Sequence, residues 1–461
     1  MGLYGKTVRR YSSGVAYILA LLLLALFSTL ALAITTQATV GLRQSSNSCD
    51  AMNARMTAES GLAFMLGVLR DVTLPPETTD QTLILNLGER LASRLDDTPN
   101  LADGAVTHDS VVSVPAIAWQ RGSFRCTFSP IGDSRCRLIV TGTMKDAART
   151  ISIDLSLVGQ TKGVFGYGIA SKGKIGVWGT SLLTGANEPG EANVLSILDQ
   201  AEAIELCGNT TIGGELNLSD PAATVGIRGN SVTVNGTSGR DDILENHVHR
   251  VAEPEFPVVS TESLASLADN VLDASSNYNR NTYNNIRIKS RTNPQFGNDV
   301  VLNGIVYIEA PNTVTFKNDC TVNGMIITED GSSYGVDNCQ LIFKSKVTCL
   351  GVETLPETPE FSRVKEHTGT FVLAPGFAVE FRGQVNTING TIAADRFDFR
   401  GNCNLTIKGF ILGLSKQAMT FHGNNIVTID ATNADRTPAG LLVPKQLVPV
   451  QGTYREVIGG A

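Results

Sequence analysis

FGNDVVLNGIVYI (residues 296–308) and FKNDCTVNGMIIT (316–328) are the same sentence written twice, twenty residues apart. The pattern returns in FRGQVNTINGTIA (381–393), FRGNCNLTIKGFIL (399–412) and FHGNNIVTID (421–430), and earlier in LCGNTTIGGELNL (206–218) and IRGNSVTVNG (227–236). Each copy has an apolar residue, a polar one, Gly-Asn or a near equivalent, a short β run, and often a second Gly. Neighbouring copies are spaced 21, 20, 18 and 22 residues apart. A period near twenty with Gly-Asn corners and no helical signal predicts a parallel β-solenoid with one turn per repeat. Gly and Asn suit the corners because they tolerate left-handed backbone angles.

A single repeat cannot bury its inward side chains, so like residues must stack in ladders. Four residues after the repeat's Phe stand Val300, Cys320, Val385 and Cys403. Two cysteines sharing a slot with two valines read as small buried hydrophobes. The solenoid, expected to be right-handed, occupies 161–430. Two stretches interrupt it. Residues 253–290 begin with Pro254 and Pro257 and carry a short helix with Leu264, Leu267, Val271 and Leu272 on one side. Residues 353–370 (ETLPETPEFSRVKEHTGT) are acidic and Pro-bearing. Both read as surface excursions and contact regions. Residues 431–461, with Pro438, Pro444 and Pro449, read as an extended tail or edge cover.

Upstream, VAYILALLLLALFSTLALAI (15–34) contains no charge, and Lys6, Arg9 and Arg10 precede it. Twenty apolar residues in a helix span about 30 Å, the thickness of a bilayer's hydrocarbon core. The basic flank predicts a cytoplasmic N-terminus and export of the chain beyond Ile34. A cleavable signal, cut after Ala31-Leu32-Ala33, is the competing reading, but the apolar run exceeds a signal's 7–15-residue centre. No Pro occurs between Ile34 and Arg70, and Cys49, Met52, Met56, Ala63, Leu66 and Leu69 recur at helical spacing. One helix over 15–70, transmembrane then amphipathic, is the expectation.

A short basic leader (1–14), a Gly, an uncharged helix and a long amphipathic continuation resemble the N-terminus of a type IV pilin. The stretch Ala51-Met52-Asn53-Ala54-Arg55-Met56-Thr57-Ala58-Glu59-Ser60-Gly61-Leu62 is similar to that of minor pilins of the PilX kind. The resemblance implies cleavage by a prepilin peptidase between Gly14 and Val15. Leu19 stands where many major pilins have Glu, and Ser13 precedes Gly14. It also implies a small α+β domain after the helix, and the residues agree. DQTLILNLGERLASRL (80–95) spaces Leu83, Leu87, Leu91 and Leu95 four apart, with Thr79 or Asp80 as cap. RTISIDLSLV (149–158) alternates strictly and pairs with 137–142 across TMKDAA. That domain spans 71–160. The segment FGYGIASKG (165–173) and the repeats after it resemble solenoids joined to pilin-like anchors in bacterial proteins, and share the rhythm of bactofilins.

The chain has 461 residues, a net charge of −7 and no basic block after Arg10, so nucleic acid has no electrostatic claim on it. Among eight cysteines no CxxC occurs. Cys126 and Cys136 flank TFSPIGDSR, and a disulfide closing that hairpin is expected. Asp319, Asp330, Asp337, Asp395 and Asp398 are the candidates for a polysaccharide-cleaving face. Turn capping accounts for them better, since no acidic cluster recurs one period from Asp395. His247 and His249 share a strand face, but Asp241, Asp242 and Glu245 are the only acids nearby. No GxSxG or GxxxxGK[ST] pattern appears. No catalytic residue, cofactor or metal is expected. The sequence reads as a non-catalytic, single-pass inner-membrane or pilus-associated structural protein, with pilus or pseudopilus subunits and surface polysaccharide as partners. The alternative is a secreted β-helix protein that binds or degrades polysaccharide.

Overall fold

In a computed structural model, which describes residues 13–96, 98–101, 104–159, 163–229, 231–276, 278, 280–383, 385–432 and 437–457, the chain forms two compact units. The first holds the chain up to Leu74, residues 78–158 and the C-terminal stretch from Gln446; the second holds residues 75–77 and 159–445. The leader residues 1–12 lie outside the described residues, and the Gly14–Val15 bond falls in the first turn of the long helix.

That helix, α1 (Ser13–Arg70), runs 58 residues without a break, about 87 Å at the α-helical rise. Every described residue from Ala16 to Cys49 is exposed. The C-terminal part then packs on an antiparallel sheet, and of the expected stripe only its end, Leu66 and Leu69, takes part. Met52 and Met56 are exposed, whereas Ala54, Thr57, Ala58, Gly61, Leu62, Met65 and Leu69 are buried. Small residues win because the backbones approach closely. A Cβ on Gly142 would stand 2.3 Å from the Ala54 carbonyl oxygen, and one on Gly61 would stand 2.6 Å from the Phe124 ring.

The sheet runs β1 (Thr107–His108), β2 (Val112–Trp119), β3 (Gly122–Gly132), β4 (Arg135–Met144) and β5 (Ala147–Gly159) in chain order. The expected 149–158 strand pairs with β4 in the expected sense, placing Arg137 opposite Asp154 and Ile139 opposite Ser152. A second helix, α2 (Leu83–Leu95), buries Leu83, Leu87, Leu91 and Leu95. Its N-cap is Thr82 rather than Thr79 or Asp80, and the Asp80 carboxylate instead accepts the Ser134 backbone N–H. The C-terminal stretch is an edge cover and not an extended tail: Lys445–Pro449 and Arg455–Val457 both pair with β5, extending this sheet to seven strands.

The second unit is β-rich, with its strands paired almost entirely in parallel. Register makes the repeat physical. Phe296 faces Phe316, then Phe343, Phe381, Phe399 and Phe421 follow in order. Their rings stack with centroid separations of 6.0, 4.9, 4.9, 5.1 and 4.5 Å. Val300, Cys320, Val385 and Cys403 are all buried, as the shared slot requires. At one corner, Asn303 donates to Asn284 and Asn323 donates to Asn303 through side-chain amides. The glycine following Asn303 and Asn323 has φ of +81° and +148°, angles a side chain would strain.

The order of stacking departs from the order of the chain. After Phe421 the ladder continues with Val177, Leu206 and Ile227, so residues 169–250 stack onto the repeat ending at Ile429. Residues 251–281 therefore carry the chain from one end of the pairing order back to the other, where Asn270–Leu272 meets Thr282–Ile288. On the way Val258–Val259 pairs with Leu441–Leu442, and Leu264, Leu267 and Ala268 are buried. They join Tyr307, Ile327, Leu373, Ala393 and Leu412 in a second core. The 353–370 stretch contributes Leu355, Phe361 and Val364 to the same cluster. The two interruptions are thus a covering layer, held by buried apolar area, and not free contact loops.

Candidate functional site

Chemistry-bearing side chains of the second unit gather on the outward face beside the Phe ladder. Glu380 faces Asp398 and Asp398 faces Thr420, one residue before Phe381, Phe399 and Phe421. Arg400 bonds Glu380 at 3.1 Å and Asp398 at 3.3 Å, Arg382 pairs with Glu380, and the Thr420 hydroxyl donates to Asp398. Further along, Lys174 reaches Glu205 at 2.7 Å and Arg228 pairs with both Glu205 and Glu202. The Lys174 hydrogen bond outweighs burial and holds the Glu205 carboxyl below its usual range. Trp178 packs against His422 with ring centroids 4.4 Å apart and the planes tilted by 35°. Partial burial and then the Arg400 charge push the His422 imidazole down.

The five aspartates singled out in the sequence do not meet at one point, although Asp337 and Asp398 share Arg396, at 2.9 and 3.7 Å, and Asp330 lies near enough to Asp395 to help burial raise its carboxyl. Asp319 pairs with Lys346, Asp330 caps a turn through Ser332, and Asp337 binds Arg396 at 2.9 Å. Asp395 accepts the Gly376 N–H at 2.9 Å, and burial pushes its carboxyl up. Asp398 serves Thr420 and the arginines. A cavity of about 270 Å³ opens beside Phe410 and Asn389, with Glu353 the one carboxylate in its described lining.

For His247 and His249 the partner is Glu215, 32 and 34 residues earlier and one strand away. Its carboxylate takes His247 Nδ1 at 3.0 Å, His249 Nε2 at 3.2 Å and the Asn235 amide at 2.7 Å. Burial raises this carboxyl, and the hydrogen bonds from Asn235, His247 and His249 outweigh it, so the net displacement is downward. Among the described residues, no group of three or more His, Cys, Asp or Glu is arranged to hold a metal ion.

The cysteine reading needs correction at the hairpin. Cys126 lies opposite Val140 and Cys136 opposite Pro130. The four-residue offset amounts to about 13 Å along a strand, where a disulfide tolerates about 7 Å between Cα atoms. Both thiols are free and buried on the core side, and burial pushes each up to about 12. Cys320 is likewise pushed up to about 12, and Cys349 well upward. Iodoacetamide added to the native chain should modify exposed Cys49 first and Cys207 more slowly. The other six should react only in denaturant, giving eight alkylated sites without reductant. Six sites, with Cys126 and Cys136 missing, would restore the disulfide.

The remaining candidate surface is the first half of α1. Its apolar window reaches a mean hydropathy of 2.6 with none of it buried, long and apolar enough to cross a membrane. Ser28, Thr35, Thr36 and Thr39 turn their hydroxyls onto carbonyls four residues earlier, leaving no polar hydrogen of theirs pointing outward.

No protein-family model matches the chain, and no curated protein does. Among solved structures, the competence-associated pilin ComZ from Thermus thermophilus is similar at 13% identity and a TM-score of 0.32, over 89% of this chain and 96% of that one.

Proposed function

We propose that this chain is an exported, membrane-anchored protein of the minor-pilin kind, associated with a pilus or pseudopilus, which carries a right-handed parallel β-solenoid outside the inner membrane as a structural or adhesive module. The observation that carries the reading is α1. One unbroken helix has an apolar half with no buried described residue and a second half packed on a sheet by small residues. Exposed leucines over more than 30 Å of helix are unfavourable in water at about 25 cal/mol per Å². A bilayer or a bundle of like helices removes that penalty. The parallel ladder with its twenty-residue register supports a solenoid, and right-handed crossover is the rule for parallel strands. The structural bonding of Asp319, Asp330, Asp337 and Asp398 supports a role without catalysis.

The test is the mature N-terminus of the protein recovered from its host's membranes. The first residue should be Val15, or the unprocessed start, with residues 15–34 retained and the protein extracted by detergent but not by salt. A soluble protein beginning at Ile34 would overturn the anchor and leave a secreted module.

A further inference from the structure

From Phe316 on, the residue directly after each ladder position faces outward, and down the stack these residues read Lys317, Lys344, Arg382, Arg400, His422, Trp178, Cys207 and Arg228. Strands in a sheet lie about 4.8 Å apart, so four cations stand in single file before the aromatic pair. Like charges stacked directly opposite one another destabilise a sheet. Glu380 and Asp398 account for Arg382 and Arg400, but the inward Phe rings hold the stack without Lys317 and Lys344. Among the described residues neither Lys317 nor Lys344 has a carboxylate partner, and Lys317 bonds the neutral Gln295 amide oxygen. A chain of net charge −7 keeps this file regardless.

A second, independent feature lies in the same file. Where the acidic column of Glu380, Asp398 and Thr420 reaches the next strand, Gly176 interrupts it. The six-membered ring of Trp178 fills the space a side chain at 176 would take: a Cβ there would stand 2.4 Å from the ring. The indole thus lies across the strand backbone beside His422, in line with the arginines.

We propose that this file is the binding face for a linear acidic polysaccharide, whose carboxylates pair with Lys317, Lys344, Arg382 and Arg400 and one of whose sugar rings stacks on Trp178. The acids beside the file decide between polyanions. Glu380, Asp398 and Glu205 flank it, and they repel a closely charged polyphosphate or nucleic acid, which has few hydroxyl donors to offer them. A polyuronate spaces its charges with hydroxyls, and these donate to the same carboxylates. The planar guanidinium fork matches a carboxylate in two hydrogen bonds, and an aromatic face takes the apolar side of a sugar. The inference rests on the exported placement proposed above only for access to such a polymer; binding itself is a property of the purified chain.

The experiment uses the full chain in non-ionic detergent, titrated with alginate oligomers, dextran and a thymidine oligonucleotide at low and high salt. Alginate should bind, more weakly at high salt, and dextran and the oligonucleotide should bind at least about tenfold more weakly. R382Q/R400Q and, separately, K317Q/K344Q should each lower alginate affinity about tenfold, and W178A several-fold. R90Q/R121Q, the same charge change on exposed positions of the first unit, should leave it unchanged. Should R382Q/R400Q disturb folding, K317Q/K344Q decides, since those lysines make no ion pair. Unaltered affinity in K317Q/K344Q, equal binding of dextran, tighter binding of the oligonucleotide, or no binding of alginate would each overturn the proposal. None of these results would bear on where the mature chain begins, so the anchor reading stands or falls separately.

Discussion

Phe399→Ala should destabilise the second unit by about 3–5 kcal/mol, the upper range for truncating a buried aromatic. Phe399 is fully buried and lies between Phe381 at 5.1 Å and Phe421 at 4.5 Å, with Phe397 at 6.0 Å. Truncation removes the ring's transfer free energy, two stacking contacts of about 0.5–1.5 kcal/mol each, and leaves a cavity. The cavity cannot collapse, because strand spacing on both sides is fixed by parallel backbone hydrogen bonds to β-strands 378–382 and 419–423. Phe399→Leu should cost far less, under about 1.5 kcal/mol, because Val177, Leu206 and Ile227 fill the same ladder position in the next three strands of the stack. The chain has two tryptophans, Trp119 in the first unit and Trp178 in the second. In a Trp119→Phe background, urea unfolding followed by fluorescence therefore reports the second unit alone. A midpoint for Phe399→Ala within 1 kcal/mol of its parent, at equal slope, would show that the ring ladder does not hold the stack.

The ladder was legible because its signal is periodic and local: an apolar residue, a Gly-Asn corner and a β run repeat within one strand and its turn. Phe343 escaped because FKSKVTCLG (343–351) lacks the Gly-Asn corner, although Gly351 stands at the same offset as Gly304 and Gly324, and its ring completes the stack. The order of stacking was not legible. Every repeat offers the same inward residues and the same backbone edge to either neighbour, so nothing local says that Phe421 is followed by Val177. The covering layer had a visible trace. GIVYI, GMIIT and GFIL are continuous apolar runs, and a strand buried on both faces reads that way; the outward residues Tyr307, Ile327 and Leu412 belong to the second core. On α1 the methionine stripe misled because hydrophobicity was weighed and size was not, whereas Ala54, Ala58 and Gly61 dock by leaving room. Glu215 could not be matched to His247 and His249 from spacing, because their meeting depends on a strand one turn of the stack away.

Leu24→Arg combined with Leu26→Arg should remove the protein from the membrane fraction. Both positions lie near the centre of the uncharged stretch, and both side chains are at least 60% exposed with no protein around them. An arginine at the middle of an inserted helix costs about 2.5–3.5 kcal/mol on insertion scales. Two such charges cost about 5–7 kcal/mol, or about four to five decades in the insertion equilibrium at 1.36 kcal/mol per decade. Placing them two residues apart on the helix puts them on different sides, so neither tilt nor one shared water defect relieves both. Nor can the helix hide them by refolding, because its packed half begins only near Asp50 and is held through Gly61 and Gly142 against the sheet. Leu24→Phe/Leu26→Phe preserves apolarity and should fractionate as the parent does. The host's membrane and soluble fractions, probed with the intact chain's mass, separate the outcomes. Loss of the membrane-bound form with the paired arginines, and its retention with the paired phenylalanines, would mean that transfer of this half-helix into lipid or a helix bundle is what places the whole molecule. Continued membrane association of the doubly charged chain would mean that another surface holds it there, and the role assigned to residues 15–34 would have to be abandoned.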